Sequence, residues 1–113
     1  MHEMALAESV LAIVLRTARS HAAAHVTSVR VEIGALSHVA PEALRTCFEV
    51  VKRHSLAADA SLDIESTPGE GWCMPCGRSV ALPGRGEACP LCGSYQVEVT
   101  RGADMRVRDI AVA

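Results

Sequence analysis

Residues 73–93 read CMPCGRSVALPGRGEACPLCG, and no other stretch narrows the possible folds as far. Two Cys-x-x-Cys turns, Cys73/Cys76 and Cys89/Cys92, are separated by twelve residues. Each turn brings two thiolates toward one point, and two facing turns supply four. That is the donor set a tetrahedral zinc ion takes, at about 2.3 Å per bond. The loop is slightly shorter than the usual zinc spacing, yet it holds the Gly and Pro residues a reversal needs. Gly77 and Gly93 follow the second cysteine of each pair, where a tight turn calls for positive φ. Four thiolates also hold single iron atoms, so the spacing establishes a metal site and leaves zinc and iron both open. Rubredoxin-like iron modules carry several aromatics, and here only Trp72 and Tyr95 are at hand. Four protein ligands leave no open position for water or substrate, which argues against catalysis at this centre.

A segment as short as residues 68–101 cannot bury enough apolar surface to fold unaided, so a metal cross-link is required of it. The whole chain of 113 residues is one domain's worth of material, and its 50% hydrophobic content is mostly Ala, Val and Leu. Net charge is −2, without a run of like charges. The basic footprint of a nucleic-acid binder is missing, and no apolar run reaches the roughly 20 residues of a membrane span. The start, Met1-His2-Glu3, lacks the basic region of a signal peptide. A reducing cytoplasm is the expected setting, where Cys-x-x-Cys pairs read as metal ligands before disulfides.

On either side of the metal turns the chain reads as mixed α and β. Met4, Ala7, Leu11, Val14 and Ala18 make the apolar stripe of a helix over 4–20. Val29, Val31 and Ile33 alternate with polar residues as a half-buried strand ending at Gly34. Pro41 opens a second helix, with Leu44, Cys47, Phe48 and Val51 inward and an end near His54. Leu62 and Ile64 mark a second strand, and Tyr95, Val97 and Val99 another. Met105 and Val107 open a last strand whose apolar phase moves to Ile110 and Val112, as a bulge near 108–109 would cause. Composition changes at Thr67-Pro68-Gly69-Glu70-Gly71, and Arg101-Gly102 looks like a second crossing point.

The last strand is too short to stand alone and is expected to rejoin the first sheet. The expected fold is therefore α+β. Two helices lie on a three-stranded sheet (1–67, completed by 102–113), with a four-cysteine zinc-ribbon-like domain inserted over 68–101.

A second candidate site lies at the beginning of the chain. A free α-amine titrates near 7.7–8.0, so an appreciable part is neutral and able to ligate near pH 7. The Met1 amine, the His2 backbone nitrogen and His2 Nδ1 can close fused chelate rings, with the Glu3 amide or carboxylate as a fourth donor. Nickel(II) and copper(II) accept such nitrogen-rich planar sets. The bulky His2 is expected to keep Met1 in place. Spacing alone leaves a second reading open, an exposed histidine at a chain end. Cys47 reads as a core thiol, and His21, His25, His38 and His54 as solvated. No Ser/His/Asp set, phosphate loop or catalytic carboxylate pair stands out, so no enzyme activity is expected.

The opening MHEMALAESV, the stretch VRVEIGALSHVAPEALRTCFE, the paired cysteine turns and the closing MRVRDIAV resemble HypA/HybF, the hydrogenase nickel-incorporation (maturation) proteins. The resemblance covers essentially the whole chain. It implies a nickel metallochaperone with an inserted zinc domain. Ni(II) cargo would be held at Met1, His2 and Glu3, and structural Zn(II) at Cys73, Cys76, Cys89 and Cys92. It also implies work with a HypB-type GTPase and delivery to the precursor of the nickel–iron hydrogenase large subunit, some members serving urease. The sequence leaves a homodimer open. The alternative of a different class is a zinc-ribbon interaction module, binding protein or nucleic acid, with an inert terminus.

Overall fold

A computed structural model describes residues 2–113; the expectation for Met1 lies outside the described residues. The element order is α1 (Glu3–Ser20), β1 (Val26–Gly34), α2 (Pro41–Val51), β2 (Ser61–Thr67), β3 (Glu70–Cys73), β4 (Arg78–Ala81), β5 (Val97–Arg101) and β6 (Met105–Val112). Two three-stranded sheets result, ordered β2-β1-β6 and β4-β3-β5. The chain packs as two compact units. One holds the residues up to Glu32, Val39–Glu65 and Arg106–Ala113. The other holds Ile33–His38 and Ser66–Met105.

In the first unit, α1 buries Ala7, Val10, Val14 and Ala18, spaced three and four apart. The stripe is narrower than expected at its start, since Met4 is exposed. Pro41 occupies the first turn of α2, where its missing N–H costs nothing, and Leu44 and Phe48 are buried completely. Beyond α2 the chain turns over through His54, whose φ of 64° is left-handed. The two helices pack on each other. β1 supplies Val26, Val29 and Val31 to the same core, and the central position of this strand explains why it is the most deeply buried. α2 connects β1 to its sheet neighbour β2. β6 rejoins this sheet, as expected.

The solvent side of the β2-β1-β6 sheet is a ladder of charges. Arg30 pairs with Asp109, Arg106 with Glu32 at 2.8 Å, and Arg108 with Glu65 at 2.8 Å. Apart from Glu32 these groups are well exposed, so solvent screens each pair and its contribution is small. Arg108 and Asp109 are consecutive, yet both reach this ladder, and Ile110 rather than Asp109 is half-buried. The shift of phase expected at this point is therefore real.

In the second unit, β3 pairs antiparallel with β4 (Cys73 opposite Arg78) and with β5 (Cys73 opposite Val97). Its core cluster is Cys73, Val80 and Cys89, with Cys76 and Val97 packed beside it. The β3–β4 hairpin went unseen in the sequence, because strands of four residues are too short to show a period. The role of Gly34 was also larger than a strand end. A Cβ there would sit 2.0 Å from the Gly102 carbonyl oxygen, and one on Gly102 would sit 2.5 Å from that of Pro68. Three backbone segments cross where only glycine fits. Leu36 N–H donates to the Gly102 carbonyl at 2.8 Å, and Arg85 Nε donates to the Leu36 carbonyl at 2.6 Å.

Phe48 is the largest fully buried side chain. Phe48→Ala is expected to cost about 3–5 kcal/mol, read as a lower denaturant midpoint for the loss of helical circular dichroism.

Candidate metal centre

Cys73 ends β3, Cys76 follows in the turn to β4, and Cys89 and Cys92 lie in the loop before β5. Their four sulfurs lie within 4.8 Å of one another. Cys73 Sγ and Cys92 Sγ are 3.6 Å apart, and Cys76 Sγ and Cys89 Sγ 4.0 Å. A disulfide needs about 2.05 Å, so all four are thiols. Four sulfurs at about 2.3 Å from a common centre would be about 3.8 Å from each other in a regular tetrahedron. The two distances bracket that edge. With the remaining sulfurs no more than 4.8 Å apart, the donor set suits a tetrahedral four-thiolate ion.

Backbone geometry produces this convergence. Gly77 N–H donates to the Cys73 carbonyl and Gly93 N–H to the Cys89 carbonyl, each at 2.8 Å. Gly77 has φ 62° and Gly93 φ 77°, the left-handed values expected after each pair. Cys89 N–H is held by the Ser94 carbonyl, and Met74 N–H by that of Gln96. Leu91 N–H donates to Cys89 Sγ at 3.4 Å, a donor aimed at the sulfur itself.

The four thiols are not equivalent. Burial pushes Cys73 up. Cys76 is pushed up to about 12, first by its hydrogen bonds with the Cys92 and Cys73 thiols and then by burial. Burial also works against the Cys89 thiolate. The N–H groups of Cys92 and Leu91, then the Cys73 and Cys92 thiols, outweigh it and bring Cys89 down to about 7. Cys89 thus reaches the thiolate form a metal takes more readily than Cys73 or Cys76. The structure brings all four sequence-predicted cysteines together.

The second candidate site is at the start of α1. His2 is the N-cap of the helix and is exposed, and its carbonyl accepts the Leu6 N–H at 2.9 Å. The first N–H groups of a helix have no acceptor within it. A metal that displaces the amide protons of residues 2 and 3 therefore breaks no helical hydrogen bond. Glu3 behaves differently from its neighbour. Its carboxylate accepts the Ala40 N–H at 3.2 Å, at the N-cap of α2. That N–H, then Glu3's own, holds the carboxyl below its usual range. The tie is complete at neutral pH and is lost as pH falls through that lowered value. A bond across 37 residues leaves no mark in local sequence.

Cys47 is only half-buried and is not one of the four grouped cysteines. Among the described residues no helix is long and apolar enough to cross a membrane.

Known proteins share this sequence and this fold. Residues 1–112 match the family described as "Hydrogenase/urease nickel incorporation, metallochaperone, hypA". The chain is 54% identical to hydrogenase maturation factor HypA 2 of Bradyrhizobium diazoefficiens over 112 residues, which is 99% of both chains. It is 49% identical to the HypA of Rhizobium leguminosarum bv. viciae, again over 99% of each. Its fold matches the solution structure of the Ni metallochaperone HypA from Helicobacter pylori, with a TM-score of 0.74 and 28% identity. That match covers 99% of this chain and 97% of the other. The chain therefore belongs to the HypA family of hydrogenase nickel-incorporation metallochaperones.

Proposed function

We propose that this chain carries one Ni(II) at its N-terminus and hands it on during maturation of a nickel–iron hydrogenase, while one Zn(II) staples its second unit. The observation that carries the nickel site is the exposed His2 at the helix N-cap, beside first-turn amides with no helical acceptor. The donors are the Met1 amine, the His2 amide and Nδ1, and a nitrogen or oxygen of Glu3. The engagement of the Glu3 carboxylate with Ala40 favours the Glu3 amide as the donor. Nitrogen-rich sets of this kind suit Ni(II). An exposed site at a chain end also exchanges its ion more readily than a buried cage.

Zinc would be held by Cys73, Cys76, Cys89 and Cys92, where it supplies a cross-link and no reaction chemistry. This reading makes the chain a carrier and not an enzyme. The family resemblance supplies the partners: a HypB-type GTPase and the large-subunit precursor of the hydrogenase. A cytoplasmic setting goes with it, where reduced thiols keep the cluster free to bind metal.

The test is delivery. In a host lacking its own member of the family, this chain is expected to restore nickel to the hydrogenase large subunit, read as hydrogenase activity and as nickel per subunit. Nickel retained by the chain with no nickel reaching the subunit would overturn delivery and leave only binding.

A further inference from the structure

Lys52 is the only lysine of the chain, and it is buried. Its Nζ donates to the Ala60 carbonyl at 2.8 Å and pairs with Glu49 at 3.0 Å. Ser55 Oγ donates to the Lys52 carbonyl at 2.6 Å and accepts the Ala57 N–H at 3.1 Å. These bonds hold residues 52–60 as a wall, with Ala57 and Ala60 buried behind it. A second wall is built where β1 begins and β6 ends. His25 and Ala113 exchange both main-chain bonds, at 3.3 and 2.9 Å, and Thr27 Oγ1 donates to the Ala111 carbonyl. Val26 N–H donates to the Leu56 carbonyl at 2.9 Å and ties the walls together. The cleft they line has a volume of about 380 Å³.

That volume lies at the small end of ligand sites. Val26 and Leu56 give the cleft an apolar lining, and Asp59 is its one Asp, Glu, Lys or Arg side chain. Lys52 is committed to Glu49, and among the described residues the Asp59 carboxylate forms no ion pair. The hydroxyl protons of Thr27 and Ser55 are spent on carbonyls, as are the N–H groups of His25, Val26 and Ala58. What Thr27, Ser55 and Asp59 still offer is acceptor oxygens. The complementary ligand is one that only donates and carries positive charge, which describes an ammonium or a guanidinium. The apolar lining suits the alkyl stem behind such a group. A metal ion fits less well, since among the described residues only the four cysteines group as three or more metal ligands.

We infer that this cleft is a binding site for one ammonium or guanidinium group on an aliphatic stem, with Asp59 as its counter-ion. The inference rests on neither metal site.

Asp59 gives a clean test, because its side chain is exposed and holds nothing else in place. The full zinc-loaded chain would be titrated with butylguanidinium and with butylammonium, following backbone amide shifts by NMR. Saturable shifts are expected at residues 25–27 and 55–59. Butylurea, which has the same stem without the charge, is expected to give none. Asp59→Asn is expected to weaken both cations about tenfold, through loss of a charge-assisted hydrogen bond. Glu8→Gln, which removes an exposed charge outside the cleft, should leave both titrations unchanged. Agmatine and putrescine, set beside blocked tripeptides with a central arginine or lysine, distinguish the sources. Tighter binding of the tripeptides assigns the cleft to a side chain of a partner protein, and tighter binding of the free amines to a soluble amine. No saturable shift with either butyl cation would overturn the inference. So would an equal response to butylurea, or binding indifferent to Asp59→Asn.

Discussion

His2→Ala is expected to remove nickel binding from the isolated chain while the zinc content and the helical signal stay at their original values. The expected loss is at least about a hundredfold in nickel affinity. Outer-shell changes alone cost 10–100-fold at metal sites, and this substitution deletes a ligand while leaving the terminal amine and the amides in place. The selectivity of the effect follows from the position of the residue. His2 is exposed, caps α1 through its main chain, and lends its ring to no core contact. Alanine keeps the carbonyl that receives the Leu6 N–H. Isothermal titration with Ni(II), next to zinc content by mass spectrometry, reads both quantities on one sample. The d–d absorption of bound Ni(II) is expected to vanish with the histidine. Full-strength binding by the variant would move the nickel site elsewhere.

The second large effect lies at the cysteines. Stripping zinc with a chelator, or Cys73→Ala, is expected to unfold residues 66–105 while α1 and α2 persist. The cluster at the metal turns is Cys73, Val80 and Cys89 with half-buried Cys76 and Val97 beside them, three of those five being the proposed ligands themselves, and Ile33, Leu36 and Leu82 are the other buried apolar side chains of the unit. Structural zinc in small domains is worth about 10–16 kcal/mol at neutral pH, far more than so few side chains supply. The single tryptophan, Trp72, lies in β3 and reports on this unit alone. Its emission should shift on chelation, with little change in ellipticity at the helical band. The pH dependence has a definite sign. Zinc takes thiolates, so loading releases protons and binding weakens on acidification. Cys89, brought down to about 7, yields its proton readily, whereas Cys76, pushed up to about 12, releases its proton to solvent only as the metal binds. Zinc should therefore leave as the solution is made acid and return when it is neutralised. A unit that kept its Trp72 emission and proton-exchange protection without metal would contradict the stapling role.

How far the sequence could be read depended on the range of the interaction. The amphipathic stripe of α1, Pro41 at the head of α2 and the alternation in β1 are local patterns, and each led to the element found. The four cysteines were legible as one site because the turn chemistry repeats, with Gly77 and Gly93 in matching positions. The β3–β4 hairpin was not legible, since four-residue strands fall below any period. The crossing of Gly34, Pro68 and Gly102 was not legible either, because a glycine at a strand end looks the same whether it stops the strand or makes room for another backbone. The tie from Glu3 to Ala40 depends on a main-chain donor far along the chain. The proposed nickel site is the hardest case. Most of its proposed donors are main-chain nitrogens that every sequence has, so residue types alone could not separate a chelate from an exposed histidine, and the family resemblance is what favours the chelate.

The central claim is that nickel and zinc occupy two separate sites, one at the free N-terminus and one at Cys73, Cys76, Cys89 and Cys92. It is tested most directly by native mass spectrometry of the full chain after equilibration with both ions, with and without two residues added ahead of Met1. The unextended chain should carry one zinc and one nickel, and the extended chain one zinc and no nickel. Nickel retained by the extended chain, or lost from both together with zinc, would contradict it.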